Sequence, residues 1–430
     1  MYHKLGRLIA GAAGMAGIVA WVMHPTLMRG PVSAAKPVLS PVVPADLPPN
    51  PTQADAVNFA WQSFVAINWP ALVGVRGIPD PKKKIGQAGD VVWDTWKTPG
   101  EVFTKDGQKP PDWNQPGGTL PPECQAAGAR PGDYWLQRLT KVPGNSNNGA
   151  MRKAKEVVGG TLTDQHGNLV RFDVRLNRAE FVNIVANVYY NIQGQDNATV
   201  IEFPSGVMEV KAAWRELTDS DPPAVRARFF RRTVWIYTPG TPPTCIRAEV
   251  GLVGLHVTQK TPSRPQWTWA TFEQVDNVPP FVPPGGAAAP RAQTFPYSFN
   301  NPACPPSVCV PNQSTEKNGR PTGIPTQVTR VVNIGLAAQQ ANPAWQAELR
   351  RAVATSPFQY YELVDLQWPQ NPRQPPAGNP APGLLANTTM ETYVNQSSCL
   401  NCHYTARTAS GKLSSDFSFL LAEAHARSPR

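Results

Sequence analysis

Apolar positions along the chain follow two periods. Over residues 54–67 and 178–190 they recur every three or four positions, the spacing that lines one face of a helix. A third such stretch, 342–354, carries Pro343 at its second position, where a missing N–H is harmless. Elsewhere β-branched and aromatic residues run or alternate between prolines and glycines, so residues 233–237, 248–257, 266–272 and 358–368 predict strands. Two further helices are predicted near the C-terminus, at 384–398 and 416–424. These elements predict an α+β class: a mainly-β N-terminal body with interspersed helices, and a small all-α C-terminal segment packed on it.

Proline sets the boundaries. The chain holds 48 prolines in 430 residues, about twice average usage, which excludes a long helical bundle or coiled coil. Residues 36–51, with six prolines, read as an extended linker, and 52–369 as the body. Residues 370–383 read as a second proline-rich linker and natural hinge, and 384–430 as the C-terminal segment. Ahead of them Lys4 and Arg7 precede an uncharged apolar run at 8–23, followed by Val32-Ser33-Ala34-Ala35. Residues 1–35 are expected to be either a signal peptide cut after Ala34 or an uncleaved anchor that tethers the chain to the inner membrane through 8–23. Both send the remainder across a bacterial inner membrane, so the periplasm is the expected location, soluble or anchored. Forty basic against 30 acidic residues give a net charge of +10, but no basic block exceeds Lys82-Lys83-Lys84, so no nucleic-acid partner is expected.

Six cysteines narrow the chemistry: Cys124, Cys245, Cys304, Cys309, Cys399 and Cys402. Cys304 and Cys309 are close enough for a local loop-closing disulfide, which leaves Cys124 for Cys245; four cysteines allow three connectivities, and sequence does not choose among them. Cys399-Leu400-Asn401-Cys402-His403 is Cys-x-x-Cys-His, the spacing that attaches c-type haem. Two thiols three positions apart on a helical turn reach the two vinyl groups of one porphyrin edge, and the next residue brings an imidazole beneath the iron. A thioredoxin-type pair wants a preceding strand and a βαβ pattern, and a zinc site wants a second ligand pair; neither is present. The expected cofactor is one covalent haem c per chain, with Cys399, Cys402 and His403 as its binding residues and His403 as an axial iron ligand.

Residues 384–425, carrying Met390, Tyr393, the attachment motif and the string Asp416-Phe417-Ser418-Phe419-Leu420-Leu421-Ala422-Glu423-Ala424, resemble a monohaem bacterial c-type cytochrome. The resemblance covers about a tenth of the chain and implies a cytochrome-c-like haem segment. Gln259-Lys260-Thr261-Pro262, followed by Trp267 to Asn277, resembles strings in a large exported cytochrome-c-like family of poorly characterised function. One departure matters: small class I cytochromes c place a methionine ligand downstream of the motif, and no methionine follows Met390 here. The sixth position is open to His425, to His256, Met208 or Met151 from the body, or to no protein ligand. Met390, on the incoming helix, reads as a packing residue.

In the body, His256 reads as a hydrogen-bonded strand histidine, while Glu273 and Asp276 fit either an acid/base or metal pair or a solvated turn, with Lys260 as a salt-bridge partner for one of them. Gly-rich phosphate loops, Gly-x-Ser-x-Gly and His-Glu-x-x-His are absent, which removes several enzyme classes. Two functions remain. One is periplasmic electron transfer to or from a redox partner protein or a small-molecule electron donor or acceptor; the other is a peroxidase- or oxygenase-like haem enzyme with an open distal site. The C-terminal segment is too short to cover both porphyrin faces, so Trp267, Trp269 and Trp368 of the body are expected to form one wall.

Overall fold

A computed structural model describes residues 36–137, 160–282, 295–317, 321–394 and 396–428; the expected leader at 1–35 and Met151 lie outside them. Among the described residues no helix is long and apolar enough to cross a membrane. Eight strands form one mixed sheet: β1 (Trp135–Leu136), β2 (Arg171–Leu176), β3 (Met208–Glu216), β4 (Arg231–Thr238), β5 (Thr244–Thr261), β6 (Arg264–Gln274), β7 (Tyr361–Pro369) and β8 (Pro380–Ala381). With its helices this is the α+β class that the periodicity predicts. The helices that matter below are α1 (Gln53–Ile67), α2 (Arg178–Ala186), α3 (Leu336–Ala352) and α4 (Cys399–His403).

The apolar, β-branched run from Val250 to Val257 makes β5 the organising strand, because a strand covered on both faces can be apolar throughout. Gly251 pairs with Arg215 of β3 and with Arg231 of β4, so those two strands lie on opposite edges of β5. Further along, Gly254 to Gln259 pair with β3 on one side and β6 on the other. Strands β4 and β6 therefore take successive halves of one edge, while β3 takes the other. Outward from these, β2 pairs with β3, β7 with β6 and β8 with β7, all antiparallel; β1 runs parallel to β4.

Helices α1 and α3 cover one face. Thr52 and Asp55 form a capping box at the start of α1. Two turns into the helix, Trp61 stacks on Trp345 of α3, with ring centres 5.6 Å apart, and donates its indole N–H to Asn342. Phe64 stacks on Phe272 of β6 at 4.3 Å. Such aromatic pairs contribute about 0.5–1.5 kcal/mol each beyond their area burial. The apolar face of α3 extends to Ala338, so the helix starts at Leu336 rather than 342, and Pro343 sits inside it instead of in its first turn. At the other end of the predictions, α2 stops at Ala186, four residues short, because Val188 takes a left-handed φ of 61°. Strands β2 and β3 were not among the expected elements. Strand β2 alternates Arg171, Asp173 and Arg175, which resembles a solvated segment but is buried in pairs: Arg175 donates to Asp173 and to the carbonyls of Asp94 and Trp96.

Both expected disulfides are present. Cys124–Cys245 ties a short helical turn to the start of β5, and Cys304–Cys309 closes a local loop. Neither proline-rich stretch is a free linker. Residues 36–51 lie extended against the β5–β6 hairpin, where Pro44 accepts from Gln259, Asp46 from Ser263, and Pro48 and Pro49 from Arg264. Residues 370–383 turn back on β7: Gln370 and Asn371 bond to Asn379 and Gly378, and β8 joins the sheet edge, so the expected hinge is a hydrogen-bonded turn. The described residues from 36 onward form a single compact unit.

Candidate functional site

The register of the sheet builds the face opposite α1. Directly paired residues point the same way, so Glu209, Thr258, Trp269 and Gln367 make one row across β3, β5, β6 and β7, and Lys211, His256 and Thr271 make the next. The C-terminal segment lies on these rows. Asn387 donates to Thr271 and to the carbonyl of Phe272 at 2.7 and 2.9 Å. The backbone N–H and the hydroxyl of Thr388 both donate to Glu273, at 2.7 and 2.8 Å. Gly254 makes the approach possible: a Cβ there would lie 2.2 Å from the Thr389 hydroxyl.

Those same side chains explain why the helix expected at 384–398 is replaced by turns. Asn387 Oδ1 accepts from the N–H and the hydroxyl of Thr389, while Glu391 reaches back to the Asn387 N–H, so local side-chain bonds take the backbone groups a helix needs. Near the end, Asp416 and Phe417 take φ of 52° and 70°, and only the single turn Leu420–Glu423 remains of the expected last helix. The segment is therefore not all-α; its only described α-helix is α4.

Helix α4 carries the motif. Ser398 caps it, and Gln367 of β7 accepts from the Leu400 N–H at 2.9 Å and from the Ser398 hydroxyl at 3.2 Å, which fixes the helix on the sheet. Cys399 and Cys402 are in no disulfide and half-buried, whereas the other four cysteines are disulfide-bonded. Burial pushes the Cys399 thiol well up, with Glu391 and Cys402 adding to it, the reverse of an activated thioredoxin-type thiol. The His403 ring lies 4.2 Å from Trp269 and 4.8 Å from Phe419. Its Nδ1 is 2.8 Å from the Phe417 carbonyl, which can only accept, so Nδ1 carries the hydrogen and Nε2 presents a lone pair. Burial pushes His403 down to about 4, with Lys211 and His256 adding to the effect, so the ring is neutral at pH 7. Fixing the second ring nitrogen on a carbonyl is how proteins orient metal-ligating histidines.

The other candidates separate. His256 of β5 is hydrogen-bonded as expected, Nδ1 to Thr271 at 2.9 Å and Nε2 to Glu391 at 3.3 Å. Glu273 and Asp276 do not form a pair: Glu273 is buried against Arg330 at 2.8 Å, and Asp276 pairs with Arg228. Lys260 pairs with neither but with Asp416 at 2.6 Å. Met208 and Met390 are buried in two different apolar clusters. His425 is half-buried, its backbone bonded to Ile192, and no hydrogen bond or ring contact joins it to His403. Of the three tryptophans, Trp269 touches His403, Trp267 lies behind it at 6.3 Å, and Trp368 is a buried residue of β7 paired with Ala381. Gln367, Glu391 and the Phe417 carbonyl were not singled out by sequence; each enters through register or backbone. Among the described residues no group of three or more His, Cys, Asp or Glu side chains is placed to hold a metal by itself. No family model, no curated protein and no solved structure matches the chain.

Proposed function

We propose that the chain is an exported c-type cytochrome that carries one covalent haem c and transfers electrons in the periplasm. The observation that supports it is the donor set on α4: two thiols at Cys-x-x-Cys spacing that are in no disulfide, followed by a neutral imidazole whose Nδ1 is held by a carbonyl, which leaves the lone pair on Nε2. Cys399 and Cys402 would hold the porphyrin through thioether bonds, and His403 would ligate the iron. The haem, once bound, supplies a one-electron couple. This chain's own residues do the rest: Gln367 anchors the helix, Trp269 and Phe419 give His403 apolar cover, and the Phe417 carbonyl fixes its tautomer.

A second reading, a haem enzyme with an open distal site, is favoured by the sixth-ligand candidates. The two described methionines are packed in apolar cores, and His256 is engaged at both ring nitrogens. Protein matured in an exporting host is expected to stay red after acid-acetone extraction, and Cys399→Ala with Cys402→Ala to abolish it; haem lost to the organic layer refutes the proposal. Spectra of the reduced protein with and without carbon monoxide decide between the two functions. His425→Ala converts a low-spin spectrum to high-spin if that residue is the sixth ligand.

A further inference from the structure

Two carboxyls lie together next to residues 416–418 with few other partners. Glu180, third residue of α2, is fully buried, and Glu209 of β3 faces it. Neither Glu180 oxygen has a hydrogen-bond partner beyond that neighbouring carboxyl, and one oxygen of Glu209 is likewise buried without another partner. Two carboxylates cannot both keep their charge in such a place, so they share a proton, as like charges at close range must. Glu180 is the donor, pushed far up by burial and by Glu209; Glu209 is pushed up to about 7, mainly by burial, with Asp416 adding and the Ser418 hydroxyl opposing.

The surroundings connect this pair to His403. Glu209 stands in the same row as Trp269, two strands away, about 10 Å along the sheet. Residues 416–418 touch both sites: Ser418 bonds Glu209, and the Phe417 carbonyl accepts from His403. The charged groups around the pair are Asp416, held by Lys260, with Glu202 on the far side of that lysine. Lys211 lies two residues along β3 on the same face, beside His256 and Glu391.

We propose that the Glu180–Glu209 pair is a proton-binding site coupled to the iron, so that the protein takes a proton from solvent when the iron held by His403 accepts an electron. The inference rests on the haem reading. The balance is simple: one electron enters at the iron, and up to one proton moves from water to the Glu209 carboxylate. A unit charge at about 10 Å, the spacing from Glu209 to the Trp269 that covers His403, would at an effective dielectric near 20 shift a carboxyl by roughly one pH unit. By reciprocity the iron feels the proton equally.

The test uses the full-length chain as isolated. Its midpoint potential is measured by spectroelectrochemistry from about pH 5 to 9, a range that brackets the pair. The wild type is expected to lose potential as pH rises through neutrality, by about 59 mV in all for a tenfold coupling in a one-electron couple. Glu209→Gln and Glu180→Gln should each flatten the curve while leaving the haem spectrum unchanged. A flat wild-type curve, or a slope that persists in both variants, overturns the proposal. Infrared spectroscopy supplies a readout independent of haem: a protonated-carboxyl band above neutral pH, lost in Glu180→Gln. Absence of that band in the wild type also overturns the pair, whereas a chain without covalent haem refutes the proposed function and leaves the infrared result standing.

Discussion

Replacing Glu273 by Gln tests how the C-terminal segment is held. Glu273 is fully buried and accepts four bonds: from Arg330 Nη1 and Nη2 at 3.3 and 2.8 Å, and from the Thr388 N–H and hydroxyl at 2.7 and 2.8 Å. Glutamine keeps the shape but loses the charge, and its NH2 faces a guanidinium nitrogen in either orientation, and in one of them the Thr388 N–H as well, donor against donor. Orphaning one partner of a buried ion pair costs about 3–5 kcal/mol. Glu362, 3.5 Å from Arg330, offsets part of this, so a loss of about 2–4 kcal/mol in urea unfolding is expected. Adding Arg330→Met removes the stranded charge, so the double variant should be more stable than the sum of the singles predicts. Hydrogen exchange locates the effect: amides at 385–394 should exchange faster, while α1 and α3 stay protected. A loss under about 1 kcal/mol, or protection lost uniformly, would refute the idea that this ion pair pins the segment.

Three further outcomes follow from the fold. Removing Cys124–Cys245, which closes a loop of 121 residues, should cost about 5 kcal/mol by chain entropy, against about 2 for Cys304–Cys309 with its separation of 5; comparable losses in paired Cys→Ser variants contradict that account. Burial pushes Asp365 up to about 6, so the folded state binds more protons than the unfolded chain above about pH 4 and stability falls as pH rises toward 6. Asp365→Asn should reduce that slope, a change of up to about 3 kcal/mol, and an unchanged pH profile of unfolding contradicts it. Residues 384–430 expressed alone should incorporate haem poorly, because their anchors are Thr271, Glu273 and Gln367; a stable fragment with the spectrum and potential of the full chain disproves this.

The strands beneath the site were legible because β4 to β7 are bounded runs of β-branched and aromatic residues, which only a sheet accommodates at that length. Strand β2 was not, since Arg171, Asp173 and Arg175 look solvated until their partners Glu216, Tyr134 and Asp94, far off in sequence, are known. The stretch 384–398 looked helical by spacing, but Asn387 and its threonines bind their own backbone, a competition that apolar periodicity does not register. In the site, the Cys399, Cys402, His403 motif is local and readable. Gln367 joins it only through pairing across strands, so no window of sequence brings it to the motif.

The cap that Gln367 places on α4 also sets an order of assembly. In a chain exported N-terminus first, as proposed, β5 and β6 emerge well before β7, because α3 lies between them in the sequence. Until Gln367 has paired with Trp269, the Leu400 N–H and the Ser398 hydroxyl have no acceptor on the sheet. Closure of the motif is thus among the latest steps, of the slow non-local kind. Before it, Cys399 and Cys402 sit on an undocked peptide, where the proposed haem attachment would have to take place; after it, both are half-buried and the Cys399 thiol is hard to ionise. On the proposed haem reading, maturation and folding compete for the same short interval, and a variant that docks faster should leave more of the protein colourless.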